Sequence, residues 1–281
     1  MAPRTTATKR RRLNSTSLHA TLPFDPVLEI LYRLPVKSLV QFKSVCKSWK
    51  SLISHPKFAK NHLRLSTTRH HLFFPHLSKH DYTFKTCPIS TLFTRKITPT
   101  ATATLQLDYP LSHRGVNFDQ IRGSCHGIFC IELYRSFAVL WNPSIRKFAK
   151  LPSLEIQGSN TLYSGFGYDH STDTYKVVAF SGVYQVQTYV HTMGTNFWTR
   201  IQDFPHCVPE HESGKFINGT LNWLACNNSA IVSLDLEKGS YREILLLDYG
   251  EIVITKSLWV LRECLCTLSS HTDGHSEGVW K

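Results

Sequence analysis

Residues 123–127 read Gly-Ser-Cys-His-Gly and set the thiol of Cys125 beside the imidazole of His126, the raw material of a cysteine nucleophile and its base. On a strand, however, adjacent side chains point to opposite faces and would not hydrogen-bond readily. Gly123 and Gly127 suit a turn into a buried strand better than a catalytic centre. Two further clusters hold metal-competent atoms: His206, Cys207 and His211, and His271 with His275. Neither has paired Cys-X-X-Cys spacing or a helix to present it, and 15 histidines make chance clustering the expectation. Cys264 and Cys266 point to one face of a strand and read as two small buried side chains, a strained bridge being the alternative. In "GFGYD", Gly165 and Gly167 lack the third glycine and the following helix of a dinucleotide loop. No ordered catalytic set, metal or cofactor is therefore expected, and the chain reads as a non-enzyme.

The formal net charge of +12 resembles a nucleic-acid signal until it is divided along the 281 residues. Residues 1–64 carry +11, residues 65–114 carry +4, and residues 115–281 carry −3. The large C-terminal part is thus slightly acidic, which argues against a phosphate-tracking surface there. No apolar run approaches the roughly 18 residues of a membrane span. With no hydrophobic leader among the first residues, the eight cysteines read as reduced thiols and a disulfide framework is not expected.

Four stretches differ in character. Residues 1–20 form a basic, acid-free tail expected to be disordered. Its run Lys9, Arg10, Arg11 and Arg12 reads as a nuclear localisation signal, a solvated tail or part of a transit peptide. Residues 21–65 form a helical module. Asp25 suits an N-cap and Pro26 the first helical position, and the helix ends near Leu34 before Pro35. A second helix is expected over 36–42, a third over 44–53, and His55-Pro56 marks the exit. Residues 66–114 alternate short apolar pieces with Thr and Pro, which fits a linker or edge strands.

Residues 115–281 change to strand-like runs at 127–133, 175–180, 184–191, 220–225, 230–236 and 264–268, separated by turn signals. "IRKF" (145–148), "WTRI" (198–201) and "YREI" (241–244) each follow a turn, and their ends lie 53 and then 43 residues apart. Such periods suit propeller blades, and a β-sandwich is the alternative. Trp141 in "LWNP" is expected between strands, with Asn142-Pro143 opening a turn.

On helical wheels at 100° per residue the first helix carries Val27, Leu28, Ile30, Leu31, Tyr32 and Leu34 over an arc of about 200°. A module of about 40 residues has too little interior to cover it, so part of that surface should meet a partner. The wheel of the third helix groups Val45, Trp49 and Leu52, with Cys46 alongside, opposite Lys43, Lys47 and Lys50.

"LPFDPVLEILYRLPVKSLVQFKSVCKSWKSLISHPKF", residues 22–58, resembles the F-box, the adaptor-binding module of SCF ubiquitin ligases. The resemblance implies docking on a Skp-type adaptor and, through it, on a cullin. Carried onto this chain, the expected contacts are Leu22, Pro23, Leu28, Ile30, Leu31, Leu34, Pro35, Val36 and Leu39. Val45, Cys46, Trp49 and Leu52 are expected inside the module. "GSCHGIFCI", "LWNPSIRKFAKLP", "GFGYDHSTDTYKVV", "GTNFWTRIQDFP", "GKFINGTLNWLA" and "IVSLDLEKGSYREI" resemble the F-box-associated, kelch-repeat type domain of plant F-box proteins. This implies a multidomain α plus all-β chain, with a helical bundle followed by a β-propeller-like domain of about three and a half units. That count makes the propeller incomplete, as if truncated at the C-terminus. The expected role is a substrate-recognition subunit that recruits an unknown target protein for ubiquitination in the nucleus and/or cytoplasm, with no nucleic acid or membrane partner. The alternatives are a DNA-binding regulator using the basic N-terminal helices and a non-functional fragment that binds adaptor alone.

Overall fold

The computed structural model describes residues 24–65, 71–77, 82–88, 105–107, 120–133, 137–154, 161–182, 185–207, 213–226, 229–246, 253–261, 264–271 and 276–280. Leu22, Pro23, the run Lys9, Arg10, Arg11 and Arg12, and His211 and His275 lie outside them. The chain divides into two compact units between Thr67 and Thr68. Among the described residues no helix is long and apolar enough to cross a membrane.

The first unit is a bundle of helices α1 (Phe24–Arg33), α2 (Val36–Phe42), α3 (Lys47–Ser54) and α4 (Pro56–Leu65). Sequence reasoning missed α4 by taking His55-Pro56 as an exit. The dipeptide is a helix start: Pro56 occupies the first position, where a missing N–H costs nothing, and the Lys57 N–H donates to His55 Nδ1 at 3.2 Å. Asp25 lies within the first turn of α1 rather than before it. The third helix starts at Lys47, later than expected. Ser44 Oγ donates to the Gln41 carbonyl at 2.6 Å, and Cys46 precedes the helix in an extended conformation.

Among the described residues the second unit is all β. Three sheets are four-stranded antiparallel meanders: β4 (Gln120–Cys125), β5 (Ile128–Leu133), β6 (Phe137–Asn142) and β7 (Lys147–Lys150); β8 (Thr161–Asp169), β9 (Thr174–Ser181), β10 (Gln187–Thr192) and β11 (Trp198–Arg200); β12 (Lys215–Ile217), β13 (Thr220–Leu224), β14 (Ala230–Asp235) and β15 (Ser240–Leu245). A three-stranded sheet precedes them, β1 (His71–Leu77), β2 (Tyr82–Pro88) and β3 (Leu105–Leu107), and another follows, β16 (Val253–Leu261), β17 (Cys264–His271) and β18 (Ser276–Trp280). The three repeated sequence endings are β7, β11 and β15, the fourth strand of each meander. The five separate sheets among the described residues rule out the sandwich and fit an incomplete propeller-like arrangement. They also exceed the expected three and a half units, because residues 71–107 contribute a sheet where the sequence left linker and edge strands open.

First strands adjoin one another: β4 lies beside β8, β8 beside β12, and β12 beside β16. Alternation along each strand feeds two cores at once. In β9, Val177 and Ala179 pack toward β4–β7, whereas Val178 and Phe180 pack toward β12–β15. In β6, Ala138 and Leu140 face β8–β11, whereas Val139 and Trp141 join Phe73 and Phe84 of the first sheet. Strands covered on both faces therefore read as near-continuous apolar runs such as "VVAF" and "AVLW".

First strands also need close approach. A Cβ at Gly167 of β8 would stand 2.8 Å from Leu236 Cδ1 and 2.9 Å from Phe216 Cε2, overlapping the edge of that ring. "GFGYD" is thus a packing motif. β4 and β8 each shift register by one residue, between Ile121 and Gly123 and between Tyr163 and Gly165. Ser164, at the second bulge, is buried and accepts from Trp223 Nε1 at both Oγ (3.0 Å) and the carbonyl (3.2 Å). At the first, Arg122 Nε donates to Glu132 Oε2 at 2.6 Å, a buried ion pair.

One feature contradicts the reduced-thiol expectation. Cys207 and Cys226 are joined by a disulfide, with Cα atoms 6.0 Å apart across a sequence separation of 19. No local motif announces it, because the pairing is created by strand topology. The other six cysteines are free.

Candidate functional site

The helical unit closes on Leu31, Leu39, Ile53 and Phe58, with Val27, Leu28, Tyr32, Leu34, Phe42, Trp49 and Leu52 packed around them. Helix α4 builds much of this centre. Phe58 stacks on Tyr32 at 4.9 Å, Asn61 Nδ2 donates to Tyr32 Oη at 3.1 Å, and His62 Nε2 lies 2.8 Å from the Leu34 carbonyl at the end of α1.

This placement corrects part of the expected contact set. Leu31 (1% exposed) and Leu39 (4%) are interior, because α4 supplies cover that three helices could not. Ile30, one residue away, is 60% exposed, and Pro35 is also exposed. Leu28, Leu34 and Val36 are half-buried. Of the residues expected inside, Trp49 and Leu52 lie against the core, and Trp49 meets Phe42 edge-on at 5.5 Å. Val45 (62% exposed) and Cys46 are on the surface. They lie in the turn before α3, so a wheel drawn from residue 44 assigned them helical directions they do not have. Exposed Val40, Leu63 and Leu65 were missed. Val40 lies on α2, four residues after Val36, and the other two belong to the unrecognised α4.

Exposed Ile30, Val40, Val45, Leu63 and Leu65 give the bundle an apolar surface. The only cysteine of this unit, Cys46, has its thiol lowered from the ordinary value by hydrogen bonding with Ser48, 3.1 Å away.

In the β unit the suspected chemistry dissolves. Cys125 is the last residue of β4 and buried, and burial pushes its thiol up to about 12. His126 stands outside in the β4–β5 turn at φ 51°. Its Nδ1 lies 3.2 Å from Tyr175 Oη, and its ring meets Tyr168 at 5.0 Å. His170 meets the same Tyr168 at 5.0 Å. Burial, and then the proximity of His170, lowers the His126 pKa. His206 Nε2 is 3.3 Å from Glu243, and Cys207 is committed to Cys226. Cys264 is exposed and Cys266 buried, both free. Among the described residues no group of three or more His, Cys, Asp or Glu side chains is placed to hold a metal.

The β8–β9 turn is instead a structural knot. Asp169 accepts from Ser171 N (2.9 Å) and Oγ (2.8 Å) and from Thr172 Oγ1 (2.7 Å), and pairs with Lys176 Nζ at 2.7 Å. Burial opposes its ionisation, but these donors outweigh burial and hold the carboxyl well below the usual range. Lys176 Nζ also donates to the Leu236 carbonyl at 2.6 Å, tying this turn to the end of β14.

The order of a helical bundle and then a β-domain is also the order in which two family models match the chain. Residues 20–61 match the F-box domain, and residues 69–246 match the F-box associated beta propeller domain. The chain belongs to the plant F-box proteins. An F-box/kelch-repeat protein of Arabidopsis thaliana, At3g23880, is 33% identical over 278 residues, covering 92% of this chain and 74% of the relative. The Arabidopsis thaliana F-box protein At2g21930 is 28% identical over 242 residues, covering 78% and 59%. Over the first four relatives the chain spans 58–74% of their length. An oligogalacturonate lyase structure shows only a loose likeness, with a TM-score of 0.41 at 10% identity over 70% of this chain and 53% of that one.

The F-box match covers all four helices except the last residues of α4, and it takes in Leu22 and Pro23. The propeller match begins at residue 69, so β1–β3 belong to it. That moves the start of the β-domain some 46 residues before the residue 115 read from composition.

Proposed function

We propose that this F-box protein is the substrate-recognition subunit of an SCF-type ubiquitin ligase. The F-box docks on a Skp-type adaptor, the adaptor joins it to a cullin, and the β-domain recruits a target protein. The chain performs no bond chemistry. It raises the effective concentration of target lysines near a ubiquitin-charged enzyme held elsewhere in the assembly. The observation that carries this reading is the exposed apolar set on the bundle, with Ile30 at its clearest, on a module matching the F-box. The proposal includes action in the nucleus or cytoplasm, with Lys9, Arg10, Arg11 and Arg12 as an import signal.

The test is an immobilised plant Skp-type adaptor probed with residues 1–281, with residues 66–281, and with the full chain carrying Ile30→Glu. The unaltered 1–281 chain should be retained and the other two lost, while all three keep the β-sheet circular dichroism signal. Retention of residues 66–281 would overturn the assignment. A duplex DNA arm at physiological salt distinguishes the DNA-binding alternative, which requires retention that falls steeply with added salt.

A further inference from the structure

Cys207 closes a short extension beyond the second meander, after β11. Three residues earlier, the Phe204 N–H donates to the Val186 carbonyl at 2.8 Å, and its buried ring packs on Phe180 at 4.7 Å and edge-on against Trp223 at 5.8 Å. Cys226 lies two residues after the end of β13 and three after that same Trp223. The buried ring pair therefore joins the backbone three residues before Cys207 to the backbone three residues before Cys226 by packing that is independent of the bond. Both cysteines are exposed residues, so the bond is open to small thiols from solvent.

We propose that Cys207 and Cys226 form a reversible thiol–disulfide exchange site, taking a low-molecular-weight disulfide such as oxidised glutathione as its oxidant. In the reduced chain, one exposed thiolate attacks a sulfur of the small disulfide. A mixed disulfide forms and one small thiolate departs. The second protein thiolate attacks the protein sulfur of that mixed disulfide and expels the other small thiolate. Two protein thiols are oxidised, one small disulfide is reduced to two thiols, and the two protons pass to the departing groups. Because Phe204 and Trp223 hold the backbone in register, the second step is intramolecular and fast relative to a second collision with a small disulfide.

Competing partners are few. Cys125 and Cys130 are buried, and burial raises both thiols to about 12. Cys87 and Cys266 are also buried, and Cys46 belongs to the helical unit. Cys264 is the remaining exposed free thiol of the β-domain. The bond ties the connection between β11 and β12 to the β13–β14 turn, so its state governs how firmly the segment carrying Phe204 is held. Closing a loop of about 20 residues restricts the unfolded chain enough to move the β-domain melting temperature by roughly 6–12 °C.

The experiment equilibrates the full chain in glutathione buffers from fully reducing to fully oxidising, then alkylates under denaturing conditions and maps peptides. A bridged peptide joining Cys207 to Cys226 is expected in oxidising buffer, replaced by two alkylated peptides in reducing buffer. The wild-type β-domain should melt higher when oxidised, by the shift given above, while Cys207→Ser should melt at one temperature in both buffers. The wild-type measurement stands alone if that variant folds poorly. Alkylation of both cysteines after excess oxidised glutathione, a bridge to any other cysteine, or a wild-type melting temperature indifferent to redox state would each overturn the proposal.

Discussion

Ile30 and Leu31 are neighbours in sequence and opposites in role, which makes a sharp test of the proposed adaptor surface. Ile30 is 60% exposed on α1, and Leu31 is 1% exposed at the bundle centre. Complete burial of an Ile side chain is worth about 1.5–3 kcal/mol. Covering the remaining three fifths under a partner would contribute about 1–2 kcal/mol, so Ile30→Ala should weaken adaptor binding by about 5- to 30-fold. As a surface substitution it should change bundle stability by no more than about 0.5 kcal/mol. Leu31→Ala opens a cavity and should cost the bundle about 2–5 kcal/mol. Calorimetric titration of a purified Skp-type adaptor reads the affinity, and hydrogen-exchange protection of residues 24–65 reads the bundle. The reasoning fails if Ile30→Ala binds with unchanged Kd, or if it loses protection as Leu31→Ala does.

Lys176→Met should destabilise the β-domain by about 3 kcal/mol, because it strands the buried Asp169 carboxylate. The folded-state pKa of Asp169 is depressed, so its stabilisation is present above the unfolded value near 3.8 and is lost as pH falls toward the folded one. Denaturant titrations at pH 5.5 and pH 3 should therefore show a smaller acid loss in the variant than in the wild type. Gly167→Ala should cost about 1–3 kcal/mol through overpacking against Phe216 and Leu236, read as a lower denaturation midpoint with an unchanged slope. Under native reducing conditions iodoacetamide should modify Cys46 well before Cys125 or Cys130. Equal labelling at early times would contradict the burial and the pKa directions assigned to these thiols.

Much of the β-domain was legible because its strands bury both faces. Runs such as residues 175–180 and 230–236 carry a strong apolar signal, and the endings at 148, 201 and 244 mark real fourth strands. The strands between residues 71 and 107 were opaque because Thr and Pro dilute that signal, and the cover of Phe73 and Phe84 comes from Trp141 and Ile131 in the next sheet. The helical surface was half legible. A wheel finds the apolar arc of α1 but cannot say which part another helix covers, and α4 was hidden behind a proline read as a stop. Val45 and Cys46 were misjudged because a turn has no helical period. The Cys207–Cys226 bond left no trace in the sequence, since nothing local encodes the approach of the segment after β11 to the end of β13.

The alternation in β9 carries a consequence for how the molecule comes apart. A sheet whose odd residues serve one neighbour and whose even residues serve the other cannot melt privately, because losing it strips two cores at once. Coupling then passes hand to hand along the row, as in a chain of nearest-neighbour units. Damage at Phe180 should be felt through Trp223 on one side, and damage at Ala179 through Phe166 on the other. Loosening should start at the sheets of β1–β3 and β16–β18, which among the described residues each share one core, and travel inward.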